Sequence, residues 1–188
     1  MIRPVRRIVL TGGPGSGKTC LLDALEKTGH TTSPEAGRQI IRHQQVIGGQ
    51  ALPWENRALF AELMLEYELA AYTRAEALAT DKDNMVLFDR GIPDVAGYLN
   101  LCALPVPPYV KRAAQMFRYD LVFIAPFWPE IFTQDDERKQ DLDEARRTCH
   151  AMASIYHQLG YTPVELPKVS VKDRVAFVQN ELRRHFSR

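Results

Sequence analysis

Cysteine is scarce in this chain: Cys20, Cys102 and Cys149 are the only three. The number is odd, no CxxC pair occurs, and His43, His150 and His157 stand at no metal-ligand spacing from them. A disulfide scaffold and a zinc site are therefore excluded, and reduced thiols fit a cytoplasmic setting. Cys20 reads as a small packed residue in a first helical turn. Charge of one sign is also lacking. Lys and Arg number 24 against 23 Asp and Glu, for a net charge of +1. That balance gives no electrostatic case for nucleic acid or a membrane surface as partner. The local clusters Arg3, Arg6, Arg7 and Arg183, Arg184, Arg188 flank the termini and read as solvated ends. No apolar run approaches the roughly 20 residues of a spanning helix. Met1 to Pro4 leads straight into the first apolar run, so no leader peptide is expected. There is no internal repeat, low-complexity tract or linker, and the 188 residues read as a single domain, 1–188.

One stretch near the start is unusually specific: Gly12-Gly13-Pro14-Gly15-Ser16-Gly17-Lys18-Thr19. It follows the apolar run Ile8-Val9-Leu10 and precedes the helical pattern Cys20-Leu21-Leu22-Asp23-Ala24-Leu25. Gly-four residues-Gly-Lys-Thr between a strand and a helix is the context of a phosphate-binding P-loop. Glycines let successive N–H groups turn into one concavity, and the following helix adds its unpaired N–H groups and dipole. In such a loop Gly12 to Thr19, with Cys20 at the helix start, bind the nucleotide. Lys18 reaches the outer phosphates and the Thr19 hydroxyl ligates Mg2+.

The remaining pattern alternates strands and helices. Strands are expected at 7–11, 30–33, 85–88, 121–124 and 161–166. Helices are expected at 17–28, 34–47, 54–78, 93–101, up to 118, at 137–159 and after Ser170. The long helix from Trp54 shows apolar residues at Leu59, Phe60, Leu63, Tyr67 and Ala70. Such alternation predicts an α/β chain: a three-layer P-loop NTPase fold with a five-stranded parallel sheet and its ligands beyond the strand C-termini. Trp54, Phe60, Trp128 and Phe132 could stack on a base, but aromatics at helical spacing are more often core.

The acid after the third apolar run narrows the class. Asp89 ends Met85-Val86-Leu87-Phe88, where a P-loop protein keeps a carboxylate near Mg2+. Hydrolytic AAA-type ATPases place a glutamate next; here Arg90 and Gly91 follow. A cation there suits phosphates in transfer better than activation of water. Phe88-Asp89-Arg90-Gly91 together with the P-loop resembles the nucleoside and nucleotide kinase branch. Further segments are Pro34-Glu35-Ala36-Gly37-Arg38, Gly48-Gly49-Gln50-Ala51-Leu52-Pro53-Trp54, Asp89 to Asp94, Pro126-Phe127-Trp128-Pro129-Glu130-Ile131-Phe132, Asp135-Asp136-Glu137-Arg138 and Leu159-Gly160-Tyr161. These resemble a family of small bacterial predicted ATPases grouped with AAA domains and related to the nicotinamide-riboside kinase module. The chain departs from it at Phe127, where a second proline is commoner.

The resemblance implies an ATP- or GTP- and Mg2+-dependent kinase acting on a small nucleoside- or nucleotide-like acceptor, as a monomer or homodimer. It implies a nucleotide role for Gly12 to Thr19 and a magnesium or base role for Asp89. It places Glu35 and Arg38 in the acceptor pocket, on helices covering about 34–80. Arg90 and Trp128, next to crevice ends of strands, are the further acceptor candidates. A lid is expected over about 128–147, with Arg138 as the transfer-stabilising cation and Arg146 or Arg147 in reserve. Pro167-Lys168-Val169 corresponds to the loop beside the adenine ring. The rival reading is a nucleotide-dependent switch acting through a protein partner. An AAA-type ring motor is disfavoured, because the chain lacks room for its helical subdomain.

Overall fold

The apolar runs are continuous, yet each divides its side chains between two cores. In the computed structural model, which describes residues 4–79, 84–132 and 141–186, Ile8 and Leu10 point to one face of the sheet and Val9 to the other. Likewise Leu87 and Phe123 join the first core, whereas Val86, Phe88 and Val122 join the second. Period-two alternation inside an all-apolar strand is what a parallel sheet buried on both faces requires.

The elements are β1 (Arg6–Gly12), α1 (Lys18–Lys27), β2 (Thr31–Ser33), α2 (Ala36–Ile47), α3 (Arg57–Leu78), β3 (Met85–Asp89), α4 (Ile92–Leu101), α5 (Pro108–Met116), β4 (Leu121–Ala125), α6 (Leu142–Gln158), β5 (Val164–Glu165) and α7 (Val171–Phe186). The five strands are parallel in the order β2-β3-β1-β4-β5. Leu21, Leu22 and Leu25 of α1 and Val178 and Leu182 of α7 cover one face. Helices α3, α4, α5 and α6 cover the other. Central β1 therefore ends between the C-termini of β3 and β4. That placement organises the site: Leu10 pairs with Asp89 on one side and Gly12 with Ala125 on the other.

The fold is the expected three-layer α/β arrangement, with several local differences. β5 is only Val164–Glu165, because Pro163 has no N–H to offer the ladder. α3 begins at Arg57, where the Asn56 side chain accepts from Leu59 N at 3.0 Å, so Trp54 lies in the turn before it. Its buried residues are Phe60, Ala61, Leu65, Glu68, Ala71 and Ala75. Only Phe60 belongs to the expected stripe. Leu59 and Ala70 are exposed, and Leu63 and Tyr67 are half-buried over a satellite cluster with Ile40 and Leu52. The three alanines of this face lie in the core that α3 shares with α4, α5 and α6.

Cys20 is exposed rather than packed, since α1 turns Leu21, Leu22 and Leu25 inward. Arg6 and Arg7 are not mere solvated ends. Arg6 pairs with Asp120 at 3.0 Å, and Arg7 stacks on Tyr72 at 4.2 Å while donating to Tyr72 O. Among the described residues no helix is long and apolar enough to cross a membrane.

Candidate active site

The loop from Gly12 to Thr19 leaves β1 in a conformation closed to other residues. Gly12 has φ 133°, and a Cβ there would run into Ala125 O on β4. Gly17 has φ 78°, caps α1 in the left-handed region, and lies against Ile131 and Arg174. The carbonyl side of the loop is tied down. Lys18 Nζ donates to Gly13 O at 2.7 Å and Gly12 O at 3.4 Å, and Ser16 Oγ to Gly13 O at 2.8 Å. Arg90 Nη1 donates to Gly12 O at 3.0 Å and Arg174 Nη1 to Ser16 O at 2.8 Å. With carbonyls held by these donors, the N–H side is the one left to meet an anion.

Thr19 Oγ1 donates to Asp89 Oδ2 at 3.3 Å, bringing together the two residues assigned to Mg2+. Among the described residues, no group of three or more His, Cys, Asp or Glu could hold a metal by side chains alone. A hydroxyl and a carboxylate beside a phosphate loop nevertheless fit Mg2+, which keeps several waters and completes its shell with substrate phosphates.

Beyond Asp89 the chain turns through Arg90, which has φ 74°, a strained conformation for a side chain of that size. The strain is held by contacts on every side. Arg90 Nε meets Glu35 Oε1 at 3.1 Å and Arg90 Nη1 meets Asp94 Oδ1 at 3.4 Å. Burial works against the charge, but the carboxylates of Glu35, Asp94 and Asp89 outweigh it and push the guanidinium pKa above its ordinary value. Asp94 is the hub. It also accepts from Thr11 Oγ1 at 2.5 Å, Tyr156 OH at 2.7 Å and Gly91 N at 3.0 Å. Arg38 Nε reaches Glu35 Oε2 at 3.4 Å, so Glu35 stands between two guanidiniums.

These groups open onto a cavity of about 680 Å³ between α2, α3, α4 and α6. Glu35, Arg38 and Arg90 line it together with Phe60, Tyr98 and, at its exposed rim, Trp54. Phe60 and Tyr98 meet edge to face at 5.5 Å.

Trp128 does not line this cavity. Its ring lies 4.7 Å from the Arg174 guanidinium. The reason is topological: Trp128 follows β4, on the side of β1 opposite β3. Phe132 packs beside Gly15 and Ile131 beside Gly17, so this segment flanks the P-loop rather than that cavity. Arg174 Nε also donates to Pro167 O at 2.8 Å, joining the loop after β5 to the P-loop. Arg146 and Arg147 are exposed and pair with Asp143 on their own helix. Arg138 lies outside the described residues, as do residues 133–140 of the expected lid. His43, His150 and His157 are exposed.

Two acids central to the geometry had no assigned role in the sequence, Asp94 and Glu68. Asp94 could have been found as the third residue of a helix opened by Gly91 and Pro93, where a carboxylate returns to the cap N–H. Glu68 was detectable as the one charge on the stripe Ala61, Leu65, Glu68, Ala71, Ala75. It is only 5% exposed. Burial, reinforced by Asp94 and Asp89 and opposed by Arg90, pushes its pKa well above the carboxylate range. The folded chain thus keeps a proton that the unfolded chain loses near the ordinary value of 4.5. The associated stability is fully present below that pH and is lost as pH rises through the raised value. Thermal unfolding should therefore show wild type losing ground to Glu68→Gln between pH 5 and pH 8. Parallel pH profiles for the two proteins would contradict this.

Strand order, P-loop and the paired Thr19–Asp89 define a three-layer P-loop fold. The chain belongs to the AAA_28 family of AAA domains, whose model matches residues 7–174. Among solved structures it is similar to NadR protein in complex with NR, with a TM-score of 0.62 at 16% identity over 98% of this chain and 52% of that one. The chain thus spans about half of that protein. It is also similar to deoxyadenosine kinase from M. mycoides with bound dATP, with a TM-score of 0.63 at 14% identity over 95% of this chain and 99% of that one. No curated protein matches it significantly.

Proposed function

We propose that this chain is a Mg2+-dependent P-loop kinase that moves the γ-phosphoryl group of ATP to a small nucleoside- or nucleotide-like acceptor. The observation that carries the reading is the adjacency of two half-sites: the Lys18–Thr19–Asp89 cluster and the Glu35–Arg90 pair at the mouth of a metabolite-sized cavity. A hydrolase needs only the first. The second provides a place for a molecule other than water. The kinase neighbours support the same reading through their fold.

In this reading Gly12 to Lys18 bind the triphosphate tail through main-chain N–H groups, and Lys18 leaves its loop carbonyls for the outer phosphates. Thr19 and Asp89 hold Mg2+, directly or through water. When bound, the metal offsets charge on the phosphate oxygens. Asp89 touches the Thr19 hydroxyl, whereas Glu35 faces the cavity. Glu35 is therefore placed to take a proton from the acceptor, and Arg90 to hold Glu35 ionised and oriented. Catalysis by positioning and electrostatics needs no side-chain nucleophile.

The test is transfer from γ-labelled ATP with Mg2+ to a panel of nucleosides and nucleoside monophosphates. Labelled product with at least one acceptor is expected. Slow hydrolysis with no labelled product across the panel would overturn the assignment.

A further inference from the structure

The inner wall of the cavity carries a carboxyl that the mechanism above does not use. Glu68 projects from the middle of α3, is 5% exposed and lines the cavity. It has no hydrogen-bond partner among the described residues, and its oxygens are not sealed from the cavity. Buried polar groups are almost always paired, so one left open at a cavity wall is matched by what enters.

The charges around it restrict that occupant. The charges of Asp94, Asp89, Arg90 and Glu35 all act on Glu68, and of these Asp94, Glu35 and Arg90 line the cavity with it. Arg90 is engaged by Glu35, Asp94 and Gly12 O, and Arg38 by Glu35. Arg57, at the rim, donates Nε to Pro53 O. The inner wall thus sets the carboxyls of Glu68, Asp94 and Glu35 beside the guanidiniums of Arg90 and Arg38, which are already engaged. A phosphate carried by an acceptor would meet acids there. A hydroxyl would meet the acceptor atom it needs.

Resting on the kinase reading, we propose that Glu68 determines acceptor specificity: it accepts a hydrogen bond from a hydroxyl of an unphosphorylated, sugar-bearing acceptor. The wall around it, whose guanidiniums are already engaged by carboxylates, disfavours acceptors that already carry a phosphate. The substrate class is therefore a nucleoside rather than a nucleotide.

The test uses calorimetry on the full chain with Mg2+ and ADP. The probes are adenosine, cytidine, nicotinamide riboside and their 5′-monophosphates. At least one nucleoside is expected to bind, with its monophosphate about tenfold or more weaker, the scale of one hydrogen-bond or charge contact. Glu68→Leu should weaken that nucleoside about tenfold, leave ADP affinity unchanged and raise the melting temperature, because the open carboxyl is gone. Glu68→Ala serves if the leucine variant does not fold. Glu68→Gln, which still accepts a hydrogen bond, should bind within about threefold of wild type.

Unchanged nucleoside affinity in the leucine and alanine variants, equal binding of a monophosphate, or no binding by any probe overturns the proposal. The transfer assay separates the two readings. Transfer with Glu68-independent binding sinks the role of Glu68 alone. Glu68-dependent binding without transfer sinks the kinase reading alone.

Discussion

Lys18→Ala is expected to cut phosphoryl transfer by about 10²–10³-fold, the range measured when one preorganised charge-stabilising donor is removed from an active site. Two effects combine. The cation that meets the outer phosphates is lost, and so are the bonds by which Nζ holds Gly12 O, Gly13 O and Ser16 Oγ in the free protein. The first effect acts on kcat, because charge on the moving group is greatest in transit. The second loosens the loop and weakens ATP binding. A companion, Lys18→Met, loses the ammonium and its bonds but keeps the packing of the buried stem, so it should retain more ATP affinity than alanine while losing as much kcat. Steady-state kinetics with a productive acceptor separate the two. A lysine variant that keeps more than a tenth of wild-type kcat would remove Lys18 from the chemistry.

Asp94→Ala should be the most destabilising substitution near the site, by about 3–5 kcal/mol, the cost of breaking one side of a buried charged network. Its carboxylate receives Thr11, Tyr156, Gly91 N and Arg90, joining β1, α6, the start of α4 and the strained turn after β3. Removing it leaves a buried hydroxyl on each of β1 and α6 without its acceptor. For a domain of this length the melting temperature should fall by about 10 °C. Tyr156→Phe deletes one of these bonds and should cost about 1–2 kcal/mol. In the double variant the costs should fall short of additive, because both act on one network. Calorimetric melting of the three proteins measures this. A drop of under about 2 °C for Asp94→Ala would show that the network is not holding β1 to α6.

Much of the fold was readable because its signals are local. Gly12 to Thr19 carry a spacing that only a phosphate loop uses, and the apolar runs at Ile8, Val86 and Leu121 alternate with helical segments. Asp89 was found by its place at the end of a strand, whereas Glu35 and Arg38 were singled out by the family resemblance. The rotation of α3 was not readable, because Leu59, Leu63 and Ala70 are as apolar as the residues that are buried. The core shared with α4, α5 and α6 took Ala61, Ala71 and Ala75 instead.

What the amino-acid order settled alone was chemistry that depends on neighbours in the chain: the glycine turns, the lysine and threonine that follow them, and the alternation that makes a parallel sheet. What the tertiary structure decided was which distant residues meet. The order β2-β3-β1-β4-β5 sets the turn after β3 on one side of the P-loop and Trp128 on the other. It thereby assigned Arg90 to the cavity between α2, α3, α4 and α6, and Trp128 to Arg174. It also placed Glu68 beside acids that lie more than a helix away in sequence. The reason is that a side chain's charge and partners are set by the low-dielectric space it shares, and chain order does not encode that space one residue at a time.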